Sequence, residues 1–484
     1  MYADDLIILS ETESGLQKQI DKVSAFCEKR KLEINVKKTK IMNFNRGNRL
    51  VKRNFTYKSV ALENVKTIKY LGFTISAKNC SFLPTIDDLS LRANRALFAL
   101  NSKYKMSKLP KRLAMKIFNS LITPILLYGS EVWGPFMDYD YLTWKSSKIE
   151  RVHTQFIKRL LGCCIQTSNI MARGEVGARP LLLDIIKRVI GYTISIMKRP
   201  NSTVHSAFTY ECQNSTNPNF SGYIQKFNLD CPNILEQNKC DITKICCDAY
   251  DRFWTEQIRN SSKASSYITF KTTVYFEKYL DLIQNTRFKT SLPRFRLSNH
   301  NLMIEKGRHT KPTTDPDLRF CYFCKSLVEN EKHFLTFCPL YSPQRIYLEN
   351  VARENCNRYD SLNREEKFIF LMSNENKDIQ NALGKFTSTS MYLRDKLVEY
   401  FFIWLNHTKY SFQESTISVL TSIDCVRGCT CAWYLNTSHN YLGANVVGFF
   451  VCGGGEVKFF LLVYPIPTSC NYMGAWVHFP RAFL

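Results

Sequence analysis

Apolar residues recur along this chain in two rhythms. Near the start they are short and strand-like. Asp4-Asp5 opens directly into Leu6-Ile7-Ile8-Leu9, the pattern of a β-hairpin with its carboxylates at the tip. Ser10 precedes Glu13 at capping-box spacing. Leu16, Ile20, Val23 and Phe26 follow at helical intervals, which predicts a helix with one apolar face. Ile34 and Val36 read as a short strand, Lys37-Lys38-Thr39-Lys40 as a basic turn, and Ile41, Met42 and Phe44 as a further extended segment. A strand pair is predicted around 55–60 and 67–76. The segment is β-β-α-β-β, an antiparallel sheet with a helix on one face. Helical spacing then takes over. Leu89, Ala93, Ala96, Leu97 and Leu100 predict a helix starting at Thr85 or Asp87. Pro110 stands where another would begin, with a stripe of Leu113, Ile117, Leu121 and Ile122. Residues 179–279 read mainly as amphipathic helices separated by the polar stretch Asn214–Asn219.

Composition narrows the picture. The 484 residues carry 66 Lys+Arg against 42 Asp+Glu, a net charge of +24. That excess favours a polyanionic partner, nucleic acid before a membrane surface. No basic-then-apolar leader and no apolar run of about 18 residues occurs, so neither secretion nor a membrane span is indicated. The expected location is intracellular, in nucleus or cytoplasm. The 18 cysteines are scattered, which suits reduced thiols with one metal site. From Ser411 to Leu484 only Arg427, Lys458, Arg481, Glu414, Asp424 and Glu456 are charged. So abrupt a shift marks a boundary. Within that tail Gly453–Gly455 reads as a hairpin turn between apolar strands.

Three groups of residues could carry chemistry. Adjacent carboxylates at a hairpin tip can serve two-metal phosphoryl transfer; alone, Asp4-Asp5 reads more simply as a solvated turn. Lys103, Lys105, Lys108, Lys111, Arg112 and Lys116, with Tyr104 among them, suit phosphate contacts or an ordinary solvated helix face. Cys321-x2-Cys324-x8-His333-x4-Cys338 is a Cys₃His set of the structural zinc kind, closed to substrate. A disulfide or free core thiols are the alternative.

Tyr2-Ala3-Asp4-Asp5, then Gly15-Leu16-Gln17, Leu32-Glu-Ile-Asn35, Lys38-Thr39-Lys40-Ile-Met42 and Lys69-Tyr70-Leu71-Gly72-Phe73 occur in order within 73 residues. This resembles the second half of the palm of a non-LTR (LINE-type) retrotransposon reverse transcriptase. The resemblance implies RNA-templated DNA synthesis with Mg²⁺, and RNA and DNA as template and primer. It makes Asp4 a principal metal ligand, Asp5 its less engaged neighbour and Tyr2 a contact near the incoming nucleotide. Lys38 would be the basic residue near the triphosphate, and Tyr70, Leu71, Gly72 and Phe73 the hairpin that grips the primer end. Gly72 would let the backbone approach nucleic acid closely. The basic run falls where such proteins carry a helical thumb. Tyr128–Gly134, the helix Ile149–Leu161 and Thr167-Ser168-Asn169 resemble segments after it. Arg294-Phe295-Arg296, His300, Ile304–Arg308, the cysteine pair, His333-Phe334-Leu335 and Cys338–Tyr341 resemble the family's carboxy-terminal cysteine-rich module. Arg294, Arg296, Arg308 and Lys311 would contact nucleic acid there, and Zn²⁺ would be structural.

The sequence departs from the family in one respect. Its other catalytic aspartate lies on a strand upstream of this hairpin, and Asp87 and Asp88 do not replace it, since they fall in the first turn of a helix. The expectation is a truncated enzyme without autonomous activity, unless another palm fragment complements it. The alternative is a non-enzymatic nucleic-acid-binding protein with no membrane partner. The fold class is α+β, divided as partial palm (1–80), thumb-like helices (81–178), helical connector (179–310), zinc knuckle (311–347), further helices (348–410) and an unrelated low-charge tail (411–484).

Overall fold

A computed structural model of the chain describes residues 5–44, 53–77, 82–137, 140–214 and 239–409. Of these, 211–214, 239–241 and 400–409 are described as backbone, as are strands within 425–465. The chain divides into two compact units, Met1–Leu297 and Ser298–Leu484. The architecture is α+β, mostly helical with small sheets.

The first unit begins with helix α1 (Glu13–Arg30). Thr12, not Ser10, caps it, accepting from the Gly15 amide, and Lys31 ends it in the left-handed region at φ 55°. Its inward residues are Ile20 and Cys27; Phe26 faces out. The strands are β1 (Lys40–Ile41), β2 (Thr56–Tyr57), β3 (Val60–Ala61), β4 (Glu63–Asn64), β5 (Thr67–Tyr70) and β6 (Phe73–Ser76). They do not form one antiparallel sheet. β2–β3 and β5–β6 are antiparallel hairpins, while β1 and β4 pair in parallel, Lys40 beside Glu63. A core of Ile20, Ile41, Phe55, Tyr57 and Leu62 holds them, with Leu16, Ile34 and Val36 against it. Ile34 and Val36 flank a turn rather than a strand: Asn35 accepts from the Lys38 amide through its side chain and from Thr39 through its carbonyl. Leu6–Leu9 forms no strand either, and Leu9 is 77% exposed. No described strand lies beside it to take its backbone hydrogen bonds.

A helical body follows. Helix α2 (Leu83–Tyr104) starts two residues before Thr85, with Pro84 in its first turn, and buries Ile86, Leu89, Ala93 and Leu97. Helix α3 (Lys111–Ile117) runs through a π turn, Phe118–Ile122, into α4 (Thr123–Leu126). Its buried stripe is Ala114, Phe118, Ile122 and Leu126; Leu113 and Leu121 are exposed. Both stripes have near-helical spacing and similar apolarity, so periodicity alone did not separate them. Helices α5 (Lys148–Leu161), α6 (Asn169–Glu175), α7 (Leu181–Met197), α8 (Lys239–Arg259) and α9 (Thr286–Arg296) continue the body, with Thr203–Asn214 and shorter helical turns between them. No single described helix is long and apolar enough to cross a membrane. One bent pair, Lys111–Leu126 with Ser130–Phe136, meets the length and composition test, but Phe118, Ile122, Leu126 and Trp133 in it are core residues.

The second unit contains α10 (Glu331–Thr336), α11 (Ser342–Asn355), α12 (Arg364–Ser373) and α13 (Lys377–Lys409). Strands β7 (Cys425–Val426), β8 (Thr430–Leu435), β9 (Ala444–Gly453) and β10 (Glu456–Pro465) pair antiparallel in the order β10-β9-β8-β7.

Candidate functional site

Tyr2 and Asp4 lie outside the described residues. Asp5 is exposed, and so is Lys38 in the turn that Asn35 closes. The Tyr70–Phe73 hairpin is well defined. Leu71 and Gly72 take φ 46° and 83°, so β5 and β6 are joined by a tight two-residue turn with positive φ at both positions. What approaches Gly72 is a side chain of the same chain: a Cβ there would lie 2.9 Å from Tyr128 Cε1. The Tyr128 hydroxyl donates to the Leu71 carbonyl at 2.7 Å, and Arg92 Nη2 donates to the Gly72 carbonyl at 3.1 Å. Phe73 packs against Tyr128 with the rings tilted by 41° and their centroids 5.4 Å apart. Tyr128-Gly129 therefore seats the turn on the helical body, a role the sequence left unassigned. Trp133, buried, donates to the Tyr128 carbonyl and fixes that residue. Asp87 and Asp88 lie in α2 and pair with Lys148, and with Lys69 and Arg92.

The basic residues separate into two classes. Lys103, Lys105, Lys108 and Lys116 are exposed and make no ion pair among the described residues. Arg112 is exposed but paired with Asp281 at 2.9 Å and lies over the Phe276 ring. Arg294 is exposed and donates to the Gly162 carbonyl. Arg308 pairs with Glu305. Two assignments to nucleic acid are corrected. Lys111 is 3% exposed and donates to the Ser107 carbonyl, and burial, with Lys289 nearby, pulls its pKa down to about 8. Arg296 is 2% exposed and sunk against Glu175, at 3.0 and 3.1 Å, and Glu277, at 3.2 Å. Phe270 and Tyr279 cover its guanidinium. A sequence signal existed: Leu292, Phe295 and Arg296 share one helical face, and the face is the buried one.

In the second unit the four predicted metal ligands converge. The ligand atoms of Cys321, Cys324, His333 and Cys338 all lie within 4.8 Å of one another. Cys321 and Cys338 sulfurs are 3.9 Å apart, and Cys324 Sγ is 3.4 Å from His333 Nε2. A tetrahedral Zn–S₄-type shell places its sulfurs about 3.8 Å apart, so these residues fit zinc. Local structure explains the convergence. Lys325 turns left-handed (φ 51°) and its amide returns to the Cys321 carbonyl, which folds both sulfurs to one side. Asn330 caps α10, accepting from the His333 amide, and Cys338 closes the helix by donating to the His333 carbonyl. Buried Arg345 holds the loop through the Leu335 and Cys338 carbonyls. Glu329 is gripped by Arg394 of α13 at 2.7 and 2.6 Å and accepts from the Met303 amide. The Cys338 sulfur and burial push the Cys321 thiol up, so a metal arriving here would displace a proton. His333 Nδ1 is buried without a hydrogen-bond partner among the described residues. Tyr322 lies beside Lys306 and Arg394 rather than open for stacking.

Comparison with known proteins bears on the first segment. Residues 1–75 match the reverse transcriptase (RNA-dependent DNA polymerase) family. That stretch contains Asp4-Asp5 and the Tyr70–Phe73 turn. An uncharacterized transposon-derived protein of Caenorhabditis elegans is 26% identical over 212 residues, 41% of this chain and 71% of the relative. A protein of Drosophila melanogaster, named as an RNA-directed DNA polymerase from transposon BS, is 28% identical over 144 residues. Those cover 28% of this chain but only 16% of the relative. No solved structure matches the chain. These likenesses support a protein derived from a retrotransposon reverse transcriptase.

Proposed function

We propose that this chain is the carboxy-terminal part of a non-LTR, LINE-type reverse-transcriptase assembly, working in RNA-templated DNA synthesis. The family match over residues 1–75, with Tyr-Ala-Asp-Asp inside it, carries the reading. Asp4 is the principal metal ligand and exposed Asp5 its neighbour. Asp4 and Asp5 would hold Mg²⁺, which would supply activation of the primer hydroxyl and neutralisation of charge at the departing pyrophosphate. Two-metal sites need further carboxylates. A strand bearing the family's other aspartate, upstream in a longer protein or on another chain, completes the site. Lys38 faces the triphosphate. The Tyr70–Phe73 turn, fixed by Tyr128 and Arg92, presents its outer surface to the primer end. Lys103, Lys105, Lys108 and Lys116 meet phosphates. Cys321, Cys324, His333 and Cys338 would hold Zn²⁺ as a structural cross-link of their module, the four side chains supplying a full tetrahedral ligand set. A second reading, nucleic-acid binding without catalysis, is favoured by those four exposed, unpaired lysines.

Primer extension on an RNA template, with the strand bearing the family's other aspartate supplied on a longer chain or a second fragment, separates the two. Nucleotide incorporation that disappears in Asp4→Ala supports the polymerase, and template–primer binding without incorporation supports the second reading. A chain that neither binds nor extends defeats both. For the metal, one zinc per chain lost in Cys321→Ser is expected. A zinc-free, fully folded module would sink the assignment.

A further inference from the structure

Helices α2 and α5 border an open concavity of about 420 Å³, lined by Asn94, Arg95, Leu97, Phe98 and Asn101 of α2 and Arg159 of α5. That size lies within the range of clefts that take small organic groups, roughly 300–1,000 Å³. The composition of the lining is unusual. Phe98 is 76% exposed, while its neighbours Ala93 and Leu97 are buried and hold α2 in place. The ring is thus rigidly presented without being part of the core. Two exposed arginines share the same concavity, and among the described residues no acid lines it. The nearest carboxylates on α2, Asp87 and Asp88, are two turns away, about 10 Å, and already paired with Lys148, Lys69 and Arg92. Two like charges beside one cleft repel each other unless an anion lies between them. The two asparagines add donors and acceptors suited to base edges.

From this juxtaposition we propose a nucleotide subsite for single-stranded nucleic acid: an unpaired base stacks on Phe98, and its flanking phosphates lie against Arg95 and Arg159. This rests on the nucleic-acid reading above and adds to it a strand preference and named residues. Stacking on an exposed ring selects single strands, because a base in a duplex already has both faces covered. The arginines add salt-dependent affinity without sequence choice.

The test uses the full chain with two probes, a single-stranded oligothymidylate carrying one 2-aminopurine and a duplex of equal length. The wild-type chain should quench 2-aminopurine on binding the single strand. Phe98→Ala should weaken that binding by about 5- to 150-fold, the range of one base–aromatic stack, and lose the quench. Phe98→Trp should keep both, and duplex affinity should not change in either variant. Arg95→Ala or Arg159→Ala should each reduce the salt slope of single-strand binding by about 0.7. Because Phe98 is exposed, thermal melting of the variants should match wild type. Single-strand affinity unmoved by Phe98→Ala overturns the subsite and leaves the nucleic-acid reading standing. That is also the result expected of a face made for another protein. Equal losses on both probes would show contact with the backbone alone and remove the stacking claim. A wild-type chain that binds neither probe removes the underlying reading as well.

Discussion

Between Asp5 and Ala77 the buried core amounts to Ile20, Ile41, Phe55, Tyr57 and Leu62 with a few partners, and Leu6, Ile7 and Leu9 lie in the open. From Leu83 to Leu297 the helices close around fully buried charges. Glu150 accepts from Trp144, Arg173 and the Leu181 amide at 2.7 to 2.9 Å, with His153 at 3.1 Å. Glu175 and Glu277 enclose Arg296, and Lys271 pairs with Glu277 at 2.6 Å. The first region carries recognisable chemistry on little architecture; the second carries architecture with no recognised chemistry. Charges in the first lie at the surface, in solvent or in exposed pairs such as Lys58 with Glu28. Charges in the second bind the fold, because a buried ion without its partner costs several kcal/mol.

The largest expected effect tests that contrast directly. Arg296→Ala leaves Glu175 and Glu277 buried beside an empty space, and should destabilise the first unit by about 3–5 kcal/mol. Arg294→Ala, two residues earlier and exposed, should cost under about 1 kcal/mol. Urea denaturation followed by tryptophan fluorescence measures both. Equal, small shifts would mean that Arg296 is no structural anchor and would reopen its assignment to phosphate.

Acid offers the next test. Burial works against an ionised Glu150, yet Arg173, then His153 and Trp144, hold its pKa down at about 2. A carboxylate lowered by folding contributes stability above its unfolded pKa, near 4.5. That contribution is lost as the pH falls towards 2, about 3 kcal/mol in all. Stability measured between pH 5 and 2 should fall steeply in wild type. In Glu150→Gln, less stable at neutral pH because Arg173 loses its charge partner, the same interval should be flatter by about that amount. An unchanged slope would place the acid sensitivity elsewhere.

What the sequence disclosed follows the same division. The Cys₃His set was legible because unusual side chains at fixed short spacing carry their meaning locally: Cys321, Cys324, His333 and Cys338 did come together. Extended chain near 55–60 and 67–76 was legible from its pattern, but the two stretches do not pair with each other: each folds back as its own hairpin, 56–61 and 67–76. The parallel pairing of β1 with β4 was not, because it joins residues more than twenty apart by backbone bonds that leave no pattern in side chains. Arg296 and Lys111 were misassigned for a related reason. A basic residue reads as exposed until the groups that bury it are known: Glu175 lies 121 positions from Arg296, while Lys111 is covered by packing and donates to the Ser107 carbonyl. Arg394 and Glu329, which brace the cysteine module, are 65 apart.

The smallest effect belongs at the seam between the two regions, where the turn meets the body. Gly129 holds φ 62°, and a Cβ on it would stand 1.9 Å from Phe73 Cζ. Two costs are therefore combined in Gly129→Ala. Left-handed backbone costs a non-glycine residue about 1–2 kcal/mol. The clash adds more only if Phe73 cannot swing away, and Phe73 is half-buried at the end of a flexible side chain. A total of about 1–3 kcal/mol is expected. A double-mutant cycle with Phe73→Ala separates the two costs. If the ring resists, the double variant will be more stable than the sum of the singles, and the Tyr70–Phe73 turn is locked onto Tyr128 by packing. If the costs simply add, the ring moves freely. The Tyr128 and Arg92 hydrogen bonds would then hold the turn, and polar contacts, with Thr85 on Thr74 and Lys69 on Asp88 beside them, would join the first region to the second.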